Sequence, residues 1–297
     1  MTRVLVVGAN GLLGHTLIRE FGVEAEVWGL TRMMPSTSHP LSRWIDHSRW
    51  IGGMDADHEE HLAAALATSR AEVVVNCAGV IKQRDGGSTD MWRVNACLPY
   101  ILTRLTNDRG ARLVHVSTDC VFSGRRGAYC ELDDLDADDV YGRSKALGEP
   151  VGEHVLTLRS SHIGIELTPG PSLVEWLISQ QGRRIDGYRG VRYSGLAVTT
   201  TARLIRTIVE DHRRLTGTFH VAATPITKDA LLRKLSAALE LDVDVVSVDT
   251  PTIDRSLDGR AFSARTGLAV PDWDEMIAEI AASVRAYGHR SELTRRR

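Results

Sequence analysis

A glycine-rich turn near the start of the chain constrains the fold more than any other feature of the sequence. Residues 3–7 form a short apolar run typical of a strand, and Gly8, Gly11 and Gly14 follow at three-residue spacing before a helical pattern. A strand, a glycine turn and a helix in this order bring backbone N–H groups and the positive end of the helix dipole together. The pattern predicts a phosphate-binding turn, although three glycines also occur in ordinary turns between a strand and a helix. The residues predicted to bind a dinucleotide here are Gly8, Asn10, Gly11, Leu12, Leu13 and Gly14.

The alternation of strand and helix continues through the first half of the chain. Strand patterns occupy residues 26–30, 72–77, 112–117 and 154–159, and helical patterns occupy residues 59–69, 89–108 and 140–153. Several of these strands are continuous apolar runs, which is typical of a parallel sheet covered on both faces. The sequence therefore predicts an α/β fold with a Rossmann-type, doubly wound parallel sheet. Beyond about residue 160 the alternation becomes less regular.

Composition and charge exclude several classes of protein. The 297 residues carry a formal net charge of −2, and 43% are hydrophobic and 25% charged, as in ordinary globular proteins. This balance argues against a nucleic-acid binder that neutralises phosphates. No apolar stretch reaches the roughly 20 residues of a membrane span. The four cysteines have no C-x-x-C spacing, which favours reduced thiols in the cytoplasm. The sequence predicts no metal site.

The end of the second strand indicates which dinucleotide the turn would bind. Enzymes selective for NAD usually carry an acidic residue there, which binds the ribose 2′-hydroxyl. This chain has no acid between Gly29 and Arg32, and the arginine can bind a 2′-phosphate. The prediction is NADP(H). The alternative is a surface arginine, since only four of the 36 basic residues are lysines.

Tyr141 and Lys145 are four residues apart, on one face of a predicted helix. An ammonium near a phenol favours phenolate, so the pattern predicts a lowered tyrosine pKa and a usable general acid. Ser117 and Thr118 lie about twenty residues upstream, at the carboxyl end of a predicted strand, where parallel sheets bind ligands. The alternative is that these two hydroxyls only cap a loop.

Taken together, these motifs resemble the extended short-chain dehydrogenases/reductases. The resemblance is closest to the dTDP-4-dehydrorhamnose reductase branch, whose motif S-T-D-Y-V-F is Ser-Thr-Asp-Cys-Val-Phe here, so that Cys120 departs from it. The segments that carry the resemblance are the glycine turn, Asn76-Cys-Ala-Gly79, Asn95, Ser117-Thr-Asp119 and Tyr141-Gly-Arg-Ser-Lys-Ala-Leu-Gly-Glu149. The resemblance covers most of the chain, strongly to about residue 165.

The resemblance implies specific roles. Tyr141 would be the proton donor, Lys145 would hold the nicotinamide ribose and lower the tyrosine pKa, and Thr118 would bind the reacting oxygen. Asn95 would support the site and a proton relay. Further cofactor contacts implied by position are Asp55, Ala56, Cys77, Ala78 and Gly79.

The second half of the chain would form a smaller α+β lobe that binds the substrate. The resemblance implies a cofactor domain over residues 1–160 and a substrate lobe over residues 161–297, with some segments returning to the first domain. The substrate-binding candidates are Lys82, Thr118, Asp119, Tyr188, Arg192 and Arg255. Packing and surface charge are equally good explanations for the tyrosine and for the two arginines.

The function implied is NADPH-dependent reduction of a 4-keto nucleotide-activated sugar. Two alternatives stay open, an epimerase or dehydratase of nucleotide sugars and a non-catalytic NADP-binding regulatory subunit. The resemblance also suggests a homodimer. The sequence predicts neither a nucleic-acid nor a membrane partner.

Overall fold

The structure, a computed structural model, describes residues 2–22, 26–36, 45–53, 55, 58–81, 88–167 and 170–287. The strands are β1 (Arg3–Val7), β2 (Glu26–Leu30), β3 (Trp50–Ile51), β4 (Val73–Asn76), β5 (Arg112–Ser117), β6 (Val155–Arg159), β7 (His162–Ile163), β8 (Arg183–Tyr188), β9 (Val191–Tyr193), β10 (Leu196–Ala197), β11 (Gly217–His220), β12 (Ile226–Thr227), β13 (Val243–Val248) and β14 (Ile253–Asp254). The helices are α1 (Leu12–Phe21), α2 (Glu59–Ser69), α3 (Ser88–Met91), α4 (Leu98–Asn107), α5 (Val140–Leu147), α6 (Leu173–Ser179), α7 (Val198–Asp211), α8 (Lys228–Ala238), α9 (Arg260–Thr266) and α10 (Trp273–Tyr287).

Seven strands form one sheet in the order β11-β6-β5-β4-β1-β2-β3. The neighbouring pairs from β6 to β3 run parallel. Every residue of β4, β5 and β6 is buried, as expected for the central strands of a parallel sheet covered on both faces. Six strands in the order 3-2-1-4-5-6 are the arrangement of dinucleotide-binding sheets. The predicted α/β, Rossmann-type fold is confirmed.

The order of the strands reverses between β1 and β4, and ligands of such sheets bind beyond the strand ends at this point. In β1 and β4, Val7 pairs with Asn76, so the glycine turn and the Asn76–Gly79 segment leave the sheet side by side. On one face of the sheet, the core joins apolar residues of β1, β4 and β5 to those of α2 and α4, among them Leu5, Leu62, Leu102 and Leu113.

The chain divides into two compact units. The first comprises residues 1–121, 137–159 and 202–219, and it contains the large sheet except for the last residue of β11. The second comprises residues 122–136, 160–201 and 220–297. It contains three small sheets, with strands β7 and β10 in one, β12, β9 and β14 in another, and β8 and β13 in the third. The division at residue 160 implied by the resemblance stays a prediction.

Two helices differ from the sequence pattern. Helix α5 ends at Leu147, six residues before the predicted end. Gly148 follows, and Pro150 lacks a backbone N–H and disfavours helical geometry at the residue before it. The predicted helix over residues 89–108 is helical as far as Asn107, but Trp92–Cys97 forms a π-helical segment between α3 and α4. The N–H of Leu98 accordingly donates to the carbonyl of Arg93.

Candidate functional site

The backbone of the glycine turn leaves no room for a side chain at two of its three glycines. Gly8 has a φ of 79°, and a Cβ on it would lie 2.8 Å from the backbone of Ala78. A Cβ on Gly14 would overlap the carbonyl oxygen of Gly8. Gly11 is less restricted, since its φ is −73° and a Cβ would lie 3.3 Å from that same oxygen. The turn therefore needs glycine at its first and third positions for its own packing, whereas the second is open toward the outside.

Helix α1 begins at this turn without a side-chain cap. Gly11 is its N-cap residue, and the first helical turn contains no acidic residue. The first N–H groups of a helix have no partner within the helix, and the helix dipole places positive charge at this end. Of the predicted contacts, Asn10 is exposed, Leu12 is partly buried and Leu13 is buried. The arrangement can bind an anion such as a diphosphate through backbone groups.

The end of β2 lies beside the glycine turn. The N–H groups of Gly8 and Ala9 donate to the carbonyl of Leu30 at 3.0 and 3.2 Å. Thr31 is buried, and Arg32 is exposed two residues beyond the strand. Asp55, further along the chain, forms an ion pair with His58, in which Oδ2 and Nε2 are 3.8 Å apart. Ala56, predicted with it, lies outside the described residues.

Two asparagines fix the segment that follows β4. Asn76 is fully buried and its Oδ1 accepts from the N–H of Ala78 at 3.1 Å, while its Nδ2 lies 3.1 Å from Nδ1 of His115. Asn95 is also fully buried, in the π-helical segment. Its Oδ1 accepts from the N–H of Val80 at 2.8 Å and its Nδ2 donates to the Val80 carbonyl at 3.0 Å. The backbone around Cys77 and Gly79 is thus held at both ends.

Asn95 also connects this segment to α5, because its Nδ2 lies 3.0 Å from the hydroxyl oxygen of Ser144, to which it donates. The side chain therefore makes hydrogen bonds to two different elements. The structure thus shows Asn95 linking the loop after β4 to α5. The sequence pattern did not indicate the contribution of Ser144.

The hydroxyl of Thr118 lies at the carboxyl end of β5, among groups that fix its position. It donates to Oδ1 of Asp119 at 3.1 Å and accepts from the N–H of Cys120 at 3.2 Å. Thr118 and Asp119 are both buried. Thr118 and Cys120 both lie near enough to the phenol of Tyr141 to shift its pKa, which Thr118 lowers and Cys120 raises.

Helix α5 starts close to this strand end. Asp139 caps it by accepting from the N–H of Gly142 at 2.9 Å. A Cβ on Gly142 would overlap the carbonyl oxygen of Cys120, so glycine allows the helix to approach the loop after β5. This close approach places Tyr141 next to Thr118, as the strand and helix motifs predicted. The two residues are brought together within the first unit.

Lys145 is buried, with 4% of its surface exposed, and its Nζ donates to the carbonyl of Val116 in β5 at 2.9 Å. Burial lowers the pKa of Lys145 to about 8, and nearby Glu149 and Cys77 act in the opposite direction. An ammonium with a pKa this close to neutrality is charged at pH 7 and loses its charge at moderately alkaline pH.

The predicted lowering of the Tyr141 pKa is wrong in direction. Burial raises the pKa of the phenol above its ordinary value, Cys120 and Asp119 raise it further, and the hydrogen bond to Thr118 only partly opposes them. Desolvation disfavours the phenolate more than the neighbouring groups stabilise it. In this arrangement Tyr141 is protonated at neutral pH but is a weaker acid than a free phenol, so it can donate its proton only if the phenolate is stabilised as the proton leaves.

The remaining substrate candidates lie in the second unit, except Lys82, which lies outside the described residues. Tyr188 ends β8 and is partly buried. Arg192 in β9 forms an ion pair with Asp254 of β14 at 3.7 Å and stays largely exposed. Arg255 donates from Nε to the carbonyl of Phe122 at 2.8 Å. Both arginines thus have partners within the protein, and their role toward a substrate stays a prediction.

Residues 1–163 of the chain match the RmlD substrate binding domain family. The chain belongs to this family. A relative in Haloferax volcanii, named "Probable low-salt glycan biosynthesis reductase Agl14", is 30% identical over 73% of each chain. The dTDP-4-dehydrorhamnose reductase of Mycobacterium tuberculosis (strain CDC 1551) is 32% identical over 50% of this chain and 44% of its own. The resemblance inferred from the motifs is thereby confirmed.

The crystal structure of a dTDP-4-dehydrorhamnose reductase from Bacillus anthracis in complex with NADP shares the fold of this RmlD-family chain. It is 20% identical and has a TM-score of 0.77, with 94% of this chain and 99% of that chain covered. The alignments with the first curated relatives span about half the length of those proteins.

Membrane-spanning helices and clusters that could bind a metal ion are both absent from the described residues. Across residues 2–287, apart from the gaps named above, no helix is long and apolar enough to cross a membrane. Within those same ranges, no three His, Cys, Asp or Glu side chains come together in a way that could hold a metal ion.

Proposed function

We propose that the chain is an NADPH-dependent reductase that converts the 4-keto group of a nucleotide-activated sugar to an alcohol. The observation that carries this proposal is the grouping of Thr118, Tyr141 and Lys145 at the carboxyl edge of a dinucleotide-binding sheet. Relatives named as reductases of such sugars, including the one from Mycobacterium tuberculosis, support the choice of substrate class.

The residues present fit NADP(H). The glycine turn is open to the outside at Gly11, where a Cβ would meet only the carbonyl oxygen of Gly8, and α1 offers an uncapped N-terminus without acidic residues. Arg32 replaces the acid expected beside a free ribose 2′-hydroxyl and provides a cation for a 2′-phosphate. When bound, the dihydronicotinamide would supply the hydride for the carbonyl carbon.

The proton would come from Tyr141. As the carbonyl carbon is reduced, the phenol O–H bond breaks and its proton goes to the sugar oxygen, which Thr118 binds by a hydrogen bond. The product is the alcohol, and a phenolate is left on the protein until it takes a proton from solvent. The raised pKa of Tyr141 keeps the phenol protonated before the reaction. Lys145, one turn further along α5, would supply the positive charge that stabilises the phenolate afterwards.

A panel of nucleotide sugars tests the reaction. Incubation of the enzyme with NADPH and 4-keto-6-deoxy sugar nucleotides should consume absorbance at roughly 340 nm, the nicotinamide band. Mass spectrometry should find a product that is heavier by two hydrogens. Conversion without net consumption of NADPH would favour an epimerase or dehydratase. Binding of NADPH without any conversion across the panel would favour a regulatory subunit, for which a partner enzyme would then be sought.

The Tyr141→Phe substitution tests the assigned proton donor. Removal of the hydroxyl should lower kcat roughly a thousandfold, because general acid catalysis contributes on that order. The dissociation constant for NADPH, measured by fluorescence, should change little. Tyr100, which lies on α4 and is half exposed, provides the control variant Tyr100→Phe with unchanged turnover. Full activity of Tyr141→Phe would exclude the proposed role.

The homodimer is a further part of the proposal, which sedimentation velocity of the full chain tests directly.

A further inference from the structure

A buried ion pair lies just beyond the last turn of α5. Nε of Arg159 in β6 lies 3.0 Å from both carboxylate oxygens of Glu149, and Nη2 lies 2.7 Å from Oε2. The side chains of Arg159 and Glu149 are 7% and 8% exposed. A buried ion pair is seldom a source of net stability, since apolar side chains of the same volume often do as well. The presence of this buried pair therefore needs an explanation other than a gain in stability.

The pair is attached to the same stretch of β5 as Lys145. The Lys145 ammonium donates to the carbonyl of Val116, and the hydroxyl of the next residue, Ser117, donates to Oε1 of Glu149. The close packing of the helix end fixes this arrangement, because a Cβ on Gly148 would overlap the carbonyl oxygen of Asn95. The carboxylate is thus held in one orientation by groups from two strands.

Glu149 is the anion among the described groups that act on Lys145. Just after β4, Cys77 is near enough to act on the ammonium, but burial raises the pKa of its thiol and keeps it neutral. From β5, His115 faces it too, and burial together with Lys145 keeps the imidazole neutral by lowering its pKa. From β6, Arg159 is a cation whose charge is engaged by the carboxylate. Removal of Glu149 would leave the ammonium with no described anion to offset its burial.

We propose that Glu149 is a positioning residue that keeps Lys145 in its charged form, and that Arg159 and Ser117 hold the Glu149 carboxylate in the orientation this requires. This inference rests on the proposed function for the task of Lys145, but its test does not depend on turnover. The ion pair between Glu149 and Arg159 would then determine the pH range in which Lys145 is charged and the site can act.

The chain is well suited to a direct measurement, because it contains only four lysines. NMR of the full chain with isotope-labelled lysine side chains gives few signals, and the loss of one in Lys145→Met assigns Lys145. Its titration midpoint should fall by about one pH unit in Glu149→Gln, the lower end of the effect of a nearby opposite charge. Glu149→Asp should recover most of the midpoint.

Because Glu149→Gln leaves Arg159 buried without its partner, this variant is at risk of not folding. The double variant Glu149→Gln with Arg159→Met removes both charges, and its midpoint should lie about one pH unit below that of Arg159→Met, which lacks the same cation but keeps the Glu149 carboxylate. Glu59, a half-exposed acid on α2, gives the control Glu59→Gln, in which the Lys145 midpoint stays unchanged.

An equal midpoint in Arg159→Met and in the folded double variant would overturn the inference, whether or not the protein reduces a substrate. A lower midpoint, with the alkaline limit of kcat/KM lowered by the same amount, would support both the inference and the proposed function. A lower midpoint in a protein that reduces nothing on the substrate panel would support the effect of Glu149 on Lys145 and count against the proposed reaction alone.

Discussion

At the scale of single residues, burial moves the pKa values of the two central groups in opposite directions. It raises the pKa of Tyr141 and lowers that of Lys145 to about 8. Both shifts favour the neutral form, so the phenol retains its proton while the ammonium loses its proton more readily. The pH range in which both groups are protonated therefore ends at the pKa of Lys145.

This sets an expected pH dependence. We expect kcat/KM for sugar reduction to fall as the pH rises through about 8, because Lys145 loses its charge there while Tyr141 stays protonated. The pKa of Lys145 in the folded state lies below the unfolded value of 10.5, so the buried ammonium costs stability below pH 8 and this cost is lost between pH 8 and 10.5. Initial rates and urea unfolding across this range measure the two effects. A kcat/KM that stays constant to pH 10 would contradict the assignment.

Arg32 should determine the choice of cofactor. Because it is exposed and follows the strand beside the glycine turn, Arg32→Ala should weaken NADPH about tenfold, the loss of one charge-assisted contact worth about 1.4 kcal/mol, and leave NADH unchanged. Dissociation constants for both cofactors give the comparison. Arg214→Ala, an exposed arginine between α7 and β11, is the control. Equal weakening of NADPH and NADH would show that Arg32 does not bind a 2′-phosphate.

At the scale of elements, different glycines of the turn are needed for packing and for ligand binding. A methyl group at Gly14 would overlap the Gly8 carbonyl, so Gly14→Ala should lower the free energy of unfolding by about 1 to 3 kcal/mol. A methyl group at Gly11 meets little protein, so Gly11→Ala should fold normally but bind NADPH more weakly. Urea unfolding and NADPH titration distinguish the two variants. Normal NADPH affinity in Gly11→Ala would argue against a diphosphate at this turn.

The contacts between elements also show which features of the site could be predicted from the sequence and which could not. The glycine turn and the Tyr141–Lys145 spacing are local, and a strand or helix of known period places them directly. The contact of Asn95 with Ser144 and that of Glu149 with Arg159 connect residues that lie far apart along the chain or in different elements. No spacing rule predicts such contacts, because they depend on how the helices pack on the sheet. The raised pKa of Tyr141 was missed for the same reason, since burial follows from packing.

At the scale of the whole molecule, the fold can be predicted from the order of strands and helices along the sequence, whereas the division of the chain into two compact units cannot. Continuous apolar strands alternating with helices were enough to predict the parallel sheet. The two units exchange segments three-quarters of the way along the chain, within α7 and β11, where a helix and a strand each continue across the division. The sequence implied that some segments after residue 160 return to the first domain, but it could not say which, because compactness depends on packing in space and not on sequence position.

Binding of the cofactor should stabilise the protein as a whole-molecule effect. A ligand that binds only the folded state at 100 times its Kd adds about 2.7 kcal/mol to the free energy of unfolding. We therefore expect NADPH to raise the Tm in differential scanning calorimetry by several degrees, and NADH at the same concentration to raise it less. No change in Tm with either cofactor would contradict dinucleotide binding.

The π-helical segment over Trp92–Cys97 has a consequence for comparing this chain with others. A π turn holds one more residue than the α turn it replaces, so the helix that contains Asn95 carries, in effect, an inserted residue. A homologue with a regular helix here must be aligned with a gap inside the helix rather than in a neighbouring loop. An alignment that confines gaps to loops would match Asn95 to the wrong position, about 100° away around the helix axis.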